Sequence, residues 1–192
     1  MKSITGLSGA TGEEWYSWPV GRTASALEEV TARFGDNPAA TANITASIAG
    51  LDARLAEDGA LLGGVWAPEV VAGLVLAQWW AGVVPSSAAE ELRSARRLER
   101  LLAGRAYDKG ATVFTQSLTS VMAGDTEAIL TIETRADGDG GEAYALARAV
   151  LFPVGTDDRV VFESICPVLT ALDTFAAFVA AMVPALTISL TD

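Results

Sequence analysis

The sequence predicts an α+β fold, with helices packed on an antiparallel β-sheet. Three observations predict it. The first third of the chain carries two amphipathic helical patterns. From Leu61 onward come β-type runs separated by hairpin-length gaps. The composition, 51% hydrophobic with 19% charged, is that of a chain with a core rather than a disordered one. At 192 residues the chain suits one domain that buries roughly two thirds of its unfolded surface.

Residues 1–14 are Gly/Ser/Thr-rich without periodicity and are expected to form a flexible N-terminal arm, leaving 15–192 as a single α+β domain. Trp15-Tyr16-Ser17-Trp18-Pro19-Val20-Gly21 follows as an aromatic anchor. Trp15 and Trp18 are candidates for docking a partner, because Trp and Tyr dominate interface hot spots, but large aromatics are the usual anchors of chain ends and pinning the N-terminus onto the core is the favoured reading. Ser25 to Phe34 reads as a helix, with Ser25 and Glu28 as a capping box and Leu27, Val30 and Phe34 on one face. Gly35 ends it. Asn37-Pro38 opens a second helix whose apolar stripe is Ile44, Ile48, Leu51 and Leu55, and Gly59 stops it. Two such helices form a hairpin that needs a surface to lie on.

Leu61–Ala67 and Val70–Trp80 read as strands broken at Ala67-Pro68. Ser86 and Ser87 precede a third helix to about Leu102, with Ser87 and Glu90 as its capping box. Thr112–Val121 and Glu127–Arg135 are strands about a turn at Ala123-Gly124-Asp125, the second alternating as a sheet with one wet face does. Ala143–Phe152 and Arg159–Cys166 pair across Gly155-Thr156-Asp157-Asp158. Ala143, Ala145, Ala147 and Ala149 strip one face of the first of these to methyl groups, which lets a helix approach closely. A final helix from about Leu172 carries Phe175, Phe178, Val179 and Met182.

The ending Tyr144–Pro153, acidic turn, Val160–Pro167, then the helix Phe175 to Met182 closing on Pro184, resembles the C-terminal strand–strand–helix of the PsbP-like superfamily. That resemblance spans about a quarter of the chain. It implies an α/β/α sandwich around an antiparallel sheet and a binding or assembly role. The helical N-terminal third departs from the family, and no histidine stands here to carry over a metal site of that type. No site residue transfers.

Composition excludes whole classes of chemistry. The chain has no histidine, which removes Ser-His-Asp and Cys-His triads, imidazole bases and histidine metal sites. Cys166 is its one cysteine, so neither an internal disulfide nor a thiolate cluster can form. The start, Met1-Lys2-Ser3-Ile4, lacks an apolar signal core, and a cytoplasmic location is the expectation. Mean hydropathy is +0.33, but the two greasiest stretches, 59–85 and 165–190, are punctuated by Pro and Gly and are expected in the core rather than a membrane. Gly138-Asp139-Gly140-Gly141-Glu142-Ala143 has the outline of a dinucleotide fingerprint. A strand follows where that mechanism needs a helix, so a turn is expected. No cofactor or metal is expected.

Two constellations remain. Glu133, Arg135, Arg148 and Glu163 form a polar ridge, with Arg148 facing Glu163 across the hairpin and Glu133 on the neighbouring strand. The ridge could grip a carboxylate ligand, do acid/base work or simply ion-pair on a solvated face. Arg93, Arg97 and Arg100 share a face of the third helix, read first as a solvated face partly neutralised by Glu90, Glu91 and Glu99 and second as a dock for an acidic partner. The net charge of −11 opposes nucleic acid. The sequence therefore favours a non-enzymatic binding or adaptor domain acting on a protein partner, such as an accessory factor of a bacterial secretion or envelope system. The alternatives are an immunity protein neutralising a basic toxin and an enzyme working through Glu133 and Glu163 alone.

Overall fold

Hairpin-length connections fold the β-type runs onto one another, and the result is a seven-stranded antiparallel sheet with helices on both faces. The computed structural model describes residues 2–9, 14–68, 73–85, 111–138 and 141–191. Strand β1 (Ser3–Ser8) and strand β9 (Thr187–Thr191) form a separate two-stranded ribbon. The main sheet contains β2 (Trp15–Pro19), β3 (Leu62–Trp66), β4 (Ala77–Val84), β5 (Ala111–Ala123), β6 (Thr126–Asp137), β7 (Ala143–Phe152) and β8 (Arg159–Cys166), in the order β2-β3-β4-β8-β7-β6-β5. Among the described residues the helices are α1 (Ala24–Phe34), α2 (Pro38–Asp58) and α3 (Leu172–Ala185), the last preceded by a 3-10 turn at Leu169–Ala171.

The expected helical hairpin lies on one face. Ile44, Ile48, Leu51 and Leu55 of α2, with Val30 and Phe34 of α1, pack against Tyr16, Trp18 and Val65. The Asn37 side chain accepts from the Ala40 amide at 3.1 Å, Pro38 opens α2, and Gly59 closes it at φ 72° with its amide on the Leu55 carbonyl. On the other face α3 brings Phe175, Val179, Met182 and Val183 against Ala145, Ala147 and Ala149, all three fully buried. The methyl-only face of β7 is thus the seat of the C-terminal helix.

Gly63 and Gly64 let both layers close on β3. A Cβ on Gly64 would fall inside the Trp79 indole, and one on Gly63 would meet Leu55 at 2.6 Å. Each glycine admits a large side chain from its own side of the sheet. The described parts of the greasy stretches 59–85 and 165–190 largely belong to this packing, although Leu61, Leu74, Ile165 and Leu169 are exposed. No helix among the described residues is long and apolar enough to cross a membrane.

Several expectations are corrected. Residues 1–14 are not a free arm throughout, because Ser3–Ser8 is β1, paired antiparallel with β9, and Leu7 joins the core under α3. Trp15–Pro19 is a full strand. The strand expected from Val70 begins at Ala77. Ser25 lies inside α1, which starts at Ala24 with Thr23 before it and no side-chain cap, so the Ser25–Glu28 box does not form. Pro184 lies within the last turn of α3 rather than ending it. The third helix expected at 86–102 lies outside the described residues.

Candidate functional site

The β7–β8 hairpin sets its own register: Arg148 stands opposite Glu163, and Arg148 Nε donates to Glu163 Oε2 at 2.7 Å. The neighbouring β6 places Thr131 opposite Arg148 and Glu133 opposite Leu146. All four ridge residues therefore share one face of the sheet, but burial divides them. The side chains of Arg148 and Glu163 are 36% and 19% exposed, whereas those of Glu133 and Arg135 are each 4% exposed.

Glu133 and Arg135 are accordingly no solvated ridge, a correction to the sequence reading. Glu133 Oε1 accepts from Gln116 Nε2 at 2.8 Å, and Arg135 lies 4.0 Å from the other carboxylate oxygen. Arg135 also donates to Asp137 at 3.1 Å, and the Tyr144 hydroxyl donates to the same carboxylate at 2.8 Å. The Tyr144 hydrogen bond, aided by Arg135, holds the Asp137 carboxyl below its ordinary value, and burial with the same bond pushes Tyr144 up. Glu133 and Glu163 stand on strands separated by β7, whose backbones lie about 10 Å apart. Each is engaged by a different partner, Glu133 by Gln116 and Glu163 by Arg148. Cys166 is buried and donates to the Val168 carbonyl at 3.5 Å. Burial raises its thiol above the ordinary range, away from nucleophilic character.

Trp15 and Trp18, proposed from sequence as docking residues, are core anchors. Trp15 stacks on Trp66 and Phe178. Trp18 is fully buried, and its indole donates to Asp52 Oδ1 at 2.8 Å. Rings so enclosed fix the chain end onto the sheet and offer no surface to a partner. Arg93, Arg97 and Arg100 lie outside the described residues.

The outer part of the ridge borders a concavity. A groove of about 400 Å³ runs between α2 and the sheet, lined by Leu51, Arg54, Leu55, Asp58, Gln78, Trp80, Glu163 and Ile165. A second depression of about 280 Å³ continues it past Arg54, Gln78 and Ile165 toward Val75 and Pro167. Arg54 Nη2 donates to Gln78 Oε1 at 3.0 Å and forms the saddle between the two. The floor is apolar, with Trp80 half-buried and Ile165 40% exposed, while Arg54, Asp58 and Glu163 supply charges of both signs. Sequence reasoning named Glu163 but missed Arg54, Asp58, Trp80 and Ile165. The signal was there on α2, where Leu51, Arg54, Leu55 and Asp58 follow the i, i+3, i+4, i+7 spacing of one helix face.

Among the described residues no group of three or more carboxylates and cysteines is placed to hold a metal. After Gly141 the chain enters β7 rather than a helix, which leaves the dinucleotide outline without its phosphate seat.

No protein-family model matches the sequence, and no curated protein is detectably similar to it. Among solved structures, the chain resembles the solution structure of cyanobacterial PsbP (CyanoP) from Synechocystis sp. PCC 6803. The match covers 98% of this chain and 92% of that one, with a TM-score of 0.44 and 10% identity. The Saccharomyces cerevisiae Ran-binding protein Mog1p matches over 58% of this chain and 67% of its own, with a TM-score of 0.33 and 16% identity. The PsbP-like resemblance of the C-terminal strand–strand–helix thus has a counterpart in a structural match over most of the chain. Neither likeness, at this level of superposition, bears on function.

Proposed function

We propose that this chain is a non-enzymatic binding or adaptor domain that recognises a protein partner through the groove between α2 and strands β4 and β8. The observation that carries the reading is the make-up of that groove. Trp80 and Ile165 offer an apolar seat, and Arg54, Asp58 and Glu163 stand around it with mixed charge. An apolar anchor side chain flanked by polar groups is what such a surface accepts, in the manner of an interface hot spot with its polar rim. Glu163, the carboxylate nearest to acid/base duty, is held by Arg148.

The test is affinity capture from lysate of the source cells, comparing the native chain with Ile165→Glu and Glu163→Arg, and with Ala49→Lys on the exposed side of α2 as control. One defined protein held by the native chain and the control, and weakened at least ten-fold by both groove variants, supports the reading. Capture indifferent to the groove variants, with circular dichroism reporting native folding, overturns it. Identification of the captured protein also decides the setting. An accessory factor of a bacterial secretion or envelope system would hold its partner through the apolar seat and resist salt. The net charge of −11 favours a second reading, an immunity protein for a basic toxin, whose capture would be lost as salt rises.

A further inference from the structure

The two edges of the seven-stranded sheet are built differently. β2 is five residues long, ends in Pro19 and packs against α1, so it is short, covered and terminated by a residue without a donor. Among the described residues β5 is the opposite edge; it runs for thirteen residues, paired with β6 on one side, and is exposed along most of its length. Its sequence, Ala-Thr-Val-Phe-Thr-Gln-Ser-Leu-Thr-Ser-Val-Met-Ala, contains no charged residue and no proline. Phe114 and Met122 are 59% and 57% exposed. Edge strands in soluble proteins are ordinarily blunted by lysine, proline, bulges or brevity. β5 has one irregularity, at Phe114, and beyond it Thr115–Ala123 pairs with β6 in unbroken register.

We infer that β5 is a dimerisation edge, and that its occupant is β5 of a second copy of this chain, added antiparallel about a two-fold axis. The backbone edge specifies a β-strand as the occupant, because only a strand satisfies a row of outward amides and carbonyls. Charge specifies which strand. In a chain of net charge −11, β5 is a neutral strip, so two copies can meet there with no like charges directly opposite. With the axis at Thr119, the centre of the regular stretch, Thr119 meets its own copy. Ser117 then meets Val121, Leu118 meets Ser120, and Gln116 meets Met122. Facing residues keep their side of the sheet, so the two sheets become one of fourteen strands, seven from each copy. The blunted β2 edge stops further addition, and the assembly closes as a dimer instead of running on as a fibre.

The test is sedimentation equilibrium of the full chain at micromolar to hundred-micromolar concentration. It compares the native protein with Thr119→Lys, which sets two ammonium groups against each other at the axis, and with Ala49→Lys as a charge-matched control. Both substituted positions are exposed. The expected result is a monomer–dimer equilibrium of a 19.9 kDa chain, tightened by added salt as the remaining negative charge is screened. Thr119→Lys is expected to weaken it at least ten-fold and Ala49→Lys to leave it unchanged, with native circular dichroism in all three. A native protein that stays monomeric across the range overturns the inference. A dimer indifferent to Thr119→Lys does so as well. Groove variants such as Ile165→Glu leave this equilibrium untouched, so failure here and failure of partner recognition are told apart.

Discussion

Gly64 and Gly50 show how one residue type serves opposite ends. At Gly64 the Trp79 indole occupies the space a Cβ would need, and the indole is fully buried with no room to retreat. Gly64→Ala is therefore expected to cost about 1–3 kcal/mol by overpacking. Gly50 sits on the exposed side of α2 with open space around it, where glycine only adds entropy to the unfolded chain. Gly50→Ala is expected to gain about 0.5–1 kcal/mol. Urea titration reads both as midpoint shifts at constant slope. Asp137 carries a pH signature. Its carboxyl titrates lower in the folded chain than its ordinary value of 3.8, chiefly through the Tyr144 hydroxyl. Between the two values the unfolded chain binds the extra proton, so stability rises with pH there. The contribution is whole above the unfolded value and drains away as pH falls through the folded one. Tyr144→Phe is thus expected to be less stable than the native chain at pH 7 and to lose that deficit as pH drops below about 4, a comparison made by urea melts at both pH values.

Elements whose pattern is local and strongly periodic were legible before any coordinates. The α2 stripe, the hairpin from Ala143 to Cys166 and the alanine face of β7 are fixed by neighbours in sequence. The Arg148–Glu163 pairing turns on the loop length, and it is the six-residue connection between Phe152 and Arg159, longer than the Gly155–Asp158 turn read from the sequence, that sets it. β1 and β9 were illegible for the opposite reason. Ser-Ile-Thr-Gly-Leu-Ser has no run long enough to mark a strand, and its partner lies at the far end of the chain. The site was half legible on similar grounds. Alternation told which face Glu133 and Arg135 occupy, but not that the face would be covered there. The groove needed α2 set against β4 and β8, a tertiary fact. The β1–β9 ribbon also yields a prediction. Leu7 packs into the core under α3, and Gly9 lies against Leu62, Trp79 and Leu186. Deleting residues 1–9 would open that edge of the core and strand β9. The melting temperature is expected to fall by several degrees in calorimetry, while far-UV circular dichroism keeps the signature of the main sheet.

The whole molecule has two cores, one under α1 and α2 and one under α3, and a chain of 192 residues is long enough for intermediates to be common. The sheet argues the other way. Consecutive residues of the same strands feed opposite cores: Val65 and Trp66 on β3, Trp80 and Trp79 on β4. Neither layer can loosen without exposing the back of the strands on which the other rests. The two cores are therefore expected to melt as one. Ile44→Val in the first and Val179→Ala in the second trim fully buried side chains, costing about 0.5–1.5 kcal/mol for the single methylene of the former and roughly twice that for the latter. In a single cooperative unit, each substitution shifts the entire urea transition. Tryptophan fluorescence and far-UV circular dichroism then share a midpoint in every variant, and the double variant loses the sum. A biphasic curve in which Ile44→Val moves only one phase would instead make the sheet a hinge between two independent halves, and the shared strands would not be the coupling that this fold requires.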